Sequence, residues 1–278
     1  MRIYTPAGDL AHRTFTFPDG QPHVILETYE REFGSCTIET ALKSGNDLLT
    51  LLLASDVLRQ HGYGEVNLDI RYLLGARMDR AIDGMQPYTL QTIARLINGA
   101  GFSRVRILDV HSETAIRLIR NSQNLLPWQA LSQALYTIAS NVNLVIPDAG
   151  AQTRVDKYMN VIGNHPTVLC GKKRDSKTGE LSGFQILSHS SLNSDYSYMI
   201  VDDICDGGAT FTGLAKELRK AGAKKVYLFC THGIFSKGLP IEGIYQVYTT
   251  DSYNDSVYGT PVGSRYAVTI PISLKEMK

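Results

Sequence analysis

The residues best suited to chemistry lie between Tyr198 and Gly213, where the sequence reads YMIVDDICDGGATFTG. An apolar run typical of a buried strand leads to Asp202 and Asp203, where we expect the strand to end, and a glycine-rich turn and an amphipathic helix follow. Backbone N–H groups at such a turn and helix start bind phosphate. Carboxylates beside a phosphate indicate contacts to sugar hydroxyls or to hydrated Mg²⁺. The pattern therefore predicts a site for a sugar phosphate.

The phosphate-binding turn is predicted at five consecutive residues, with the hydroxyl of Thr212 as a further donor. Its two glycines allow the backbone to approach a phosphate closely. The predicted turn consists of Asp206, Gly207, Gly208, Ala209 and Thr210. An ordinary strand-to-helix turn with acidic neighbours is the alternative interpretation.

This stretch resembles the phosphoribosyl-binding loop of the type I phosphoribosyltransferase superfamily. The sequence after the helix narrows the resemblance, because residues 231–236 read THGIFS and look like the T-H-G-x-x-S segment of the phosphoribosyl diphosphate (PRPP) synthetases, or ribose-phosphate diphosphokinases. That family usually has D-T-A-G-T at the turn, where this chain has D-G-G-A-T. The resemblance implies a kinase branch of the superfamily, with ATP as a substrate.

A turn between two strands is predicted at residues 17–21, FPDGQ, because proline and glycine are typical turn residues. The segment also resembles the F-x-D-G-E segment with which PRPP synthetases hold adenine in the active site of a neighbouring subunit. This resemblance implies that Phe17 stacks on the base and that Asp19 recognises it. Gln21 stands where the family has Glu. A simple β-turn is the alternative.

Charged residues follow two further predicted strands. Residues 66–74 lead into Arg77 and Asp79, and residues 105–110 lead into His111, which we expect on the same side of the pleat as an acid two residues before it. Guanidinium groups bind phosphate, so the first loop fits an anionic ligand. The resemblance to the family's Y-x-R-Q-D-R and D-L-H segments implies that these three residues hold Mg·ATP. A solvated loop and a structural histidine are the alternatives.

The predicted strand at residues 142–146 runs into Asp148 and a small-residue turn. This segment resembles the family's V-x-P-D-x-G-G. The resemblance implies that Asp148 helps His111 to hold the metal. Ala151 replaces the second glycine, and its methyl group is expected to crowd the diphosphate.

A basic run follows the predicted strand that begins at Val168. Lys172 and Arg174 resemble the outer residues of the K-R-R segment on a mobile loop of PRPP synthetases. The resemblance implies that both residues neutralise charge on the group in transfer, which suits a reaction in which positioning and electrostatics provide most of the catalysis. A solvent-facing basic run is the alternative.

Composition limits the function further. The chain has 278 residues and a formal charge of +1, so no global basic field for nucleic acid is expected. Its four cysteines are widely spaced without a CxxC pair, which predicts reduced thiols and a cytoplasmic protein. No apolar run approaches the roughly 20 residues of a membrane span, and no membrane partner is expected.

Alternating strand and helix patterns predict an α/β fold with mostly parallel sheets flanked by helices. The resemblance implies two phosphoribosyltransferase-like domains, one at residues 1–140 on the ATP side and one at residues 141–278 with the phosphoribosyl and basic loops. It also implies a homo-oligomer whose active site lies at a subunit interface.

The resulting hypothesis is transfer of diphosphate from Mg·ATP to the anomeric hydroxyl of a 5-phosphoribosyl acceptor, with release of AMP. Such a displacement needs no covalent nucleophile. Ribose 5-phosphate is the acceptor that the resemblance implies. Gly207 lacks the side chain of the usual threonine, so a larger acceptor such as ADP-ribose is an alternative. A phosphoribosyltransferase and a non-catalytic, synthetase-like subunit are further alternatives.

Overall fold

The computed structural model describes residues 1–27, 34–138, 141–174, 181–188, 191–254 and 266–277, without the side chains of residues 173, 174, 181 and 182. The chain forms two compact units. The amino-terminal unit consists of Met1–Leu125 and Ser273–Lys278, and the carboxyl-terminal unit consists of Leu126–Ile272. The segment at residues 126–138 therefore packs within the carboxyl-terminal unit.

The amino-terminal unit contains a mostly parallel sheet, a separate hairpin and three helices. Its elements are β1 (Arg2–Thr5), β2 (Gly8–Asp9), β3 (His12–Thr16), β4 (Pro22–Leu26), β5 (Ser35–Ala41), α1 (Gly45–His61), β6 (Glu65–Tyr72), α2 (Thr89–Gly99), β7 (Val105–Leu108), α3 (Thr114–Leu118) and β8 (Ser122–Leu125). The sheet order is β2-β1-β5-β6-β7-β8. Strands β5 to β8 are parallel, whereas β1 is antiparallel to both of its neighbours.

Local sequence signals set the ends of α1. Ser44 accepts a hydrogen bond from the backbone N–H of Asp47, and the Asp47 carboxylate accepts one from the N–H of Ser44, which together form a capping box. Gly62 closes the helix in the left-handed conformation, with φ of 119°.

The carboxyl-terminal unit contains one seven-stranded sheet and three helices. Its elements are α4 (Trp128–Tyr136), β9 (Val142–Ile146), α5 (Ala149–Ile162), β10 (Thr167–Arg174), β11 (Leu181–Ile186), β12 (Ser197–Cys205), α6 (Ala209–Lys220), β13 (Lys225–Gly233), β14 (Gln246–Thr250) and β15 (Ala267–Ile270). The sheet order is β11-β10-β9-β12-β13-β14-β15. All pairs are parallel except β10 with β11.

Strand β12 shows why this sheet is covered on both faces. Tyr198 and Ile200 belong to one apolar cluster, and Met199 and Val201 belong to another. Successive side chains of a strand point to opposite faces, so a continuous apolar run requires a core on each side. Helix α6 packs in the first cluster, and α4 and α5 pack in the second. The predicted α/β fold with mostly parallel sheets is confirmed.

Two predicted strand ends are wrong. Strand β12 does not end at the acids but continues to Cys205, because it pairs with β13 as far as Gly233. Strand β7 ends at Leu108 rather than at residue 110. Asp109 then adopts a left-handed backbone with φ of 41°, which breaks the strand.

Candidate active site

The predicted phosphate turn connects β12 to α6. Gly208 is the N-cap of α6 and has φ of 78°, a conformation that favours glycine. The N–H groups of Phe211 and Thr212 both donate to the carbonyl of Gly208. The N–H groups of the preceding residues have no partner within the helix, as at every helix start. The turn therefore presents backbone donors to an anion, as the sequence predicts.

Asp202 and Asp203 lie within β12, and an arginine of α5 joins them. The Nη1 atom of Arg154 is 3.4 Å from the Oδ1 atom of each carboxylate. The Asp203 side chain is only 3% exposed, whereas that of Asp202 is 21% exposed. Burial, together with the negative charge of Asp203, raises the pKa of Asp202 well above its usual value, and Arg154 opposes this shift. The cluster is thus rich in negative charge, with one opening to solvent.

Asp148 is the N-cap of α5 and also binds the predicted catalytic lysine. Its Oδ1 atom accepts from the N–H groups of Gly150 and Ala151, and its Oδ2 atom is 2.7 Å from the Nζ atom of Lys172. Burial disfavours the charged carboxylate, but Lys172 and the two N–H groups outweigh burial and lower the pKa of Asp148. The ionised carboxylate therefore holds Lys172 at the edge of the sheet.

The expected crowding by Ala151 is wrong. Ala151 is 2% exposed and packs in the core beside Val155 and Tyr158 of the same helix. Because its methyl group points into the core, it does not line the loop at Asp148.

Lys172 lies on a hairpin that contacts α6. Lys172 pairs with Phe184 across β10 and β11. A Cβ atom at Gly213 would be 2.5 Å from the ring of Phe184, so this ring occupies the space beside the glycine. Contact between the Phe184 ring and Gly213 therefore fixes the hairpin against α6, the helix that begins at the phosphate turn. Arg174 pairs with Leu181 after a bulge, and its side chain lies outside the described part.

Residues 234–241, which we call the covering loop, fold over the phosphate turn. The N–H groups of Ile234 and Phe235 donate to the carbonyl of Cys205, at 2.9 and 3.2 Å. The methylene groups of Lys237 lie beside Gly207, because a Cβ atom there would be 3.4 Å from Cδ and Cε. Ile241 covers Gly208 in the same way, at 3.3 Å. The space left by the missing threonine side chain is therefore lined by a lysine stem.

The amino-terminal unit carries the residues predicted to bind ATP. The turn at residues 17–21 connects β3 and β4 as predicted, and the N–H of Gly20 donates to the carbonyl of Phe17 at 2.8 Å. The Phe17 side chain is 41% exposed and packs edge-on against Phe15, with ring centroids 4.9 Å apart. Asp19 accepts the N–H of Gln21 at 3.1 Å and so shapes the turn. The hairpin presents an exposed aromatic surface suited to stacking.

Arg77, Asp79 and His111 lie at the carboxyl ends of the neighbouring parallel strands β6 and β7. Arg77 and His111 are exposed, and Asp79 is half-buried. The expectation that His111 and Asp109 share one side of the pleat is wrong, because β7 ends at Leu108, before both residues. The structure brings Arg77 and His111 to one edge of this sheet.

The carboxylates of the carboxyl-terminal unit differ in their fit to Mg²⁺, which prefers oxygen ligands and retains several waters. Both oxygens of Asp148 already accept hydrogen bonds, so a metal there requires Lys172 to move. Asp202 and Asp203 share one arginine nitrogen and keep excess negative charge. The acid pair therefore fits a hydrated Mg²⁺ better than Asp148 does. Within the described ranges, no three His, Cys, Asp or Glu side chains form a closed metal site.

Comparison with known proteins finds similar chains, although no family model matches. The ribose-phosphate pyrophosphokinase of Mycoplasmopsis pulmonis is 29% identical over 247 residues, which cover 86% of this chain and 75% of that protein. The protein of the same name from Pyrococcus furiosus is 27% identical over 228 residues, which cover 80% of this chain and 77% of that protein. Over most of its length the chain is similar to ribose-phosphate pyrophosphokinases.

A solved structure has a similar fold over nearly the whole chain. The phosphoribosylpyrophosphate synthetase from Mycobacterium smegmatis superposes with a TM-score of 0.78 at 19% identity, covering 95% of this chain and 86% of that one. This likeness confirms the predicted fold of two phosphoribosyltransferase-like domains. None of the described helices is long and apolar enough to cross a membrane.

Proposed function

We propose that the chain transfers diphosphate from Mg·ATP to the anomeric hydroxyl of ribose 5-phosphate, giving PRPP and AMP. The observation that carries this proposal is the edge of the sheet in the carboxyl-terminal unit. There the acid pair lies within β12, the phosphate turn follows β12, and Lys172 lies on β10, with β9 between the two strands. Relatives that share 27 to 29% of their residues with this chain are named for this activity.

Each group of residues has a distinct role in this proposal. The turn at residues 206–210 binds the 5-phosphate through its N–H groups, and Thr212 adds a hydroxyl. Asp202 and Asp203 bind the ribose hydroxyls, directly or through Mg²⁺. Lys172 exchanges Asp148 for the phosphoryl group in transfer and stabilises its negative charge.

On the ATP side, Phe17 stacks on adenine and Asp19 recognises it, while Gln21 holds the turn that carries both. Arg77 binds the ATP phosphates, with Asp79 beside the nucleotide. These roles are supported by the exposed aromatic hairpin and by the location of Arg77 at the end of β6.

We infer that Mg²⁺ is the metal cofactor, and His111 and Asp148 remain candidate ligands. When bound, the metal neutralises charge on the ATP phosphates. The protein's own contribution is to orient both substrates and to hold cationic groups near the transferring diphosphate. Removal of Mg²⁺ with EDTA is expected to abolish AMP formation, and its return is expected to restore it.

The test is to incubate the protein with Mg·ATP and each acceptor separately and to weigh the products. Ribose 5-phosphate is expected to give AMP and PRPP in equal amounts. ADP-ribose is the second acceptor. If the protein converts ADP-ribose and not ribose 5-phosphate, the proposed acceptor is wrong but the proposed diphosphate transfer stands. If the protein binds nucleotide but forms no AMP with either acceptor, a non-catalytic subunit is favoured. Consumption of PRPP together with a base, without ATP, would indicate a phosphoribosyltransferase.

The active site is further proposed to be shared between subunits of a homo-oligomer, which the exposed hairpin with Phe17 supports. Mixing a Phe17→Ala variant with a Lys172→Ala variant tests this directly. If one subunit supplies the hairpin and another supplies Lys172, mixed oligomers recover part of the activity that each variant lacks. No recovery after joint refolding would place both residues in the same subunit's site.

A cytoplasmic location is proposed because all four cysteines are buried and unpaired. Burial raises the pKa of the Cys36 and Cys170 thiols to about 12, which keeps them protonated and unreactive. Titration of thiols in the denatured protein, purified without reductant, is expected to find four free groups per chain.

A further inference from the structure

Three acids lie in or just before the phosphate turn. Asp202 and Asp203 precede it in β12, and Asp206 is its first residue. Arg154 contacts the acid pair, but one of its nitrogens is already shared by both carboxylates. A phosphate monoester carries nearly two negative charges at neutral pH. Backbone N–H groups alone therefore leave much of that charge uncompensated beside the acids.

The covering loop brings one lysine to this turn. The stem of Lys237 runs along Gly207, with Cγ, Cδ and Cε at 3.6, 3.4 and 3.4 Å from the position of an added Cβ atom. The ammonium is one bond beyond Cε. Lys237 is exposed, and its ammonium forms no ion pair with the residues that the structure describes. Its charge is therefore available to a ligand at the turn.

Two backbone hydrogen bonds hold the loop in place, both accepted by the carbonyl of Cys205 at the end of β12. Ile241 anchors the other end of the loop, because its side chain packs against Gly208 and belongs to the core. Lys237 thus extends from a loop that is fixed at both ends to the same turn.

We propose that Lys237 binds the phosphate on C5 of the acceptor and that Gly207 and Lys237 together determine acceptor specificity. This inference rests on the proposed function and names a ligand residue that the sequence motifs do not include. The φ angle of Gly207 lies outside the left-handed region, so backbone conformation does not require glycine there. An added Cβ atom would only touch the lysine stem, so it is the further atoms of a threonine side chain that compete with Lys237 for space.

The first test measures direct binding of ribose 5-phosphate by calorimetry, without ATP. Lys237→Ala is expected to weaken binding by about 10- to 100-fold, as loss of a charged hydrogen bond does. Lys237→Arg is expected to retain most of the affinity. Lys216→Ala removes an exposed lysine farther along α6 and serves as the matched control. Unchanged binding of ribose 5-phosphate by Lys237→Ala would overturn the proposal.

The second test uses the coupling between the two residues. Gly207→Thr is expected to weaken binding in the natural background, where its side chain displaces the lysine stem. The same substitution is expected to have a smaller effect, or to strengthen binding, when Lys237→Ala is also present. Equal effects of Gly207→Thr in both backgrounds would overturn the shared role of the two residues.

Kinetics separate this inference from the proposed function. Lys237→Ala is expected to raise KM for ribose 5-phosphate, with KM for ATP unchanged. If the protein is active and Lys237→Ala leaves KM for ribose 5-phosphate unchanged, the inference about Lys237 is overturned and the proposed function is not. Conversely, a protein that makes no AMP with any acceptor, but binds ribose 5-phosphate through Lys237, would overturn the function alone. ADP-ribose and inorganic phosphate in the same calorimeter show whether the lysine prefers a monoester, a diester or any phosphate.

Discussion

Each unit contains a cluster in which an arginine contacts buried carboxylate. The two clusters differ in how completely the arginine pairs with the carboxylate charge. In the amino-terminal unit, Asp69 is 0% exposed and accepts two hydrogen bonds from Arg106, at 2.8 and 2.5 Å, and one from the Tyr4 hydroxyl at 2.7 Å. Arg106 also donates to the carbonyl of Met277 at 3.0 Å. One carboxylate thus faces one arginine in a saturated, water-free network.

The cluster of the carboxyl-terminal unit has the opposite character. Two carboxylates, Asp202 and Asp203, share one nitrogen of Arg154 at 3.4 Å, and Asp202 remains partly exposed. Mutual repulsion and burial raise the pKa of Asp202 instead of lowering it. Buried charge of this kind costs stability unless a ligand compensates it. The closed network therefore supports the fold, whereas the open cluster is where we propose that a polyhydroxyl or cationic ligand binds.

The largest expected effect is the loss of the closed network. Asp69→Ala leaves Arg106 buried without its partner, which costs about 3–5 kcal/mol of unfolding free energy. Urea unfolding of the variant measures this loss. Molecules that remain folded are expected to keep their affinity for ribose 5-phosphate, because the network lies in the other unit. A small loss of stability would remove the contrast between the two clusters.

Lys172→Ala is expected to lower kcat by about 10²- to 10³-fold, because it removes a preorganised cation from the group in transfer. Stability is expected to change little, since the pair with Asp148 is partly exposed. Release of AMP measured at saturating substrates tests this prediction. Lys216→Ala is again the control, and an unchanged kcat would remove Lys172 from the reaction.

Gly213→Ala places a methyl group where the Phe184 ring lies, so the hairpin that carries Lys172 must shift. Overpacking of this kind costs about 1–3 kcal/mol. We expect kcat to fall about 10-fold, in proportion to the displacement of Lys172. The double variant Gly213→Ala with Phe184→Leu is expected to recover part of both losses. Without any recovery, contact between ring and glycine does not position the hairpin.

The smallest expected effect on stability is a gain. Because the pKa of Asp202 is raised in the folded state, its ionisation destabilises the fold as pH rises through the unfolded and then the folded pKa. Asp202→Asn is therefore expected to unfold at higher urea concentration than the natural protein at neutral pH. The gain is expected to vanish well below about pH 4, where the carboxyl group is protonated in both states. Binding of ribose 5-phosphate is expected to weaken in the same variant. A stability loss at neutral pH would contradict the assigned repulsion.

Much of the fold and the order of the site segments is predictable from sequence, because both follow local patterns. The apolar run at β12, the glycine turn and the helix after it are contiguous, and the structure places them as expected. Strand ends were harder to predict. Extension of β12 to Cys205 depends on pairing with β13, which no local pattern around Asp202 reveals.

The residues that sequence reasoning missed all act across elements. Arg154 reaches Asp202 from α5, Phe184 fills the space beside Gly213 from a hairpin, and Lys237 covers Gly207 from a loop after β13. An arginine on the helix after Asp148 was a detectable signal, since carboxyl ends of parallel strands converge. Glycines at 207 and 213 also signalled close approach, but the approaching residue is known only from the structure.

The fate of a label on the β-phosphorus of ATP tests the proposed diphosphate transfer most directly. Protein, Mg²⁺, ribose 5-phosphate and the labelled ATP are mixed, and the products are separated. Transfer of the whole diphosphate predicts that the label appears on the sugar, with one unlabelled AMP for each PRPP. Label retained in ADP, or released as inorganic phosphate or diphosphate without a sugar product, would contradict the account.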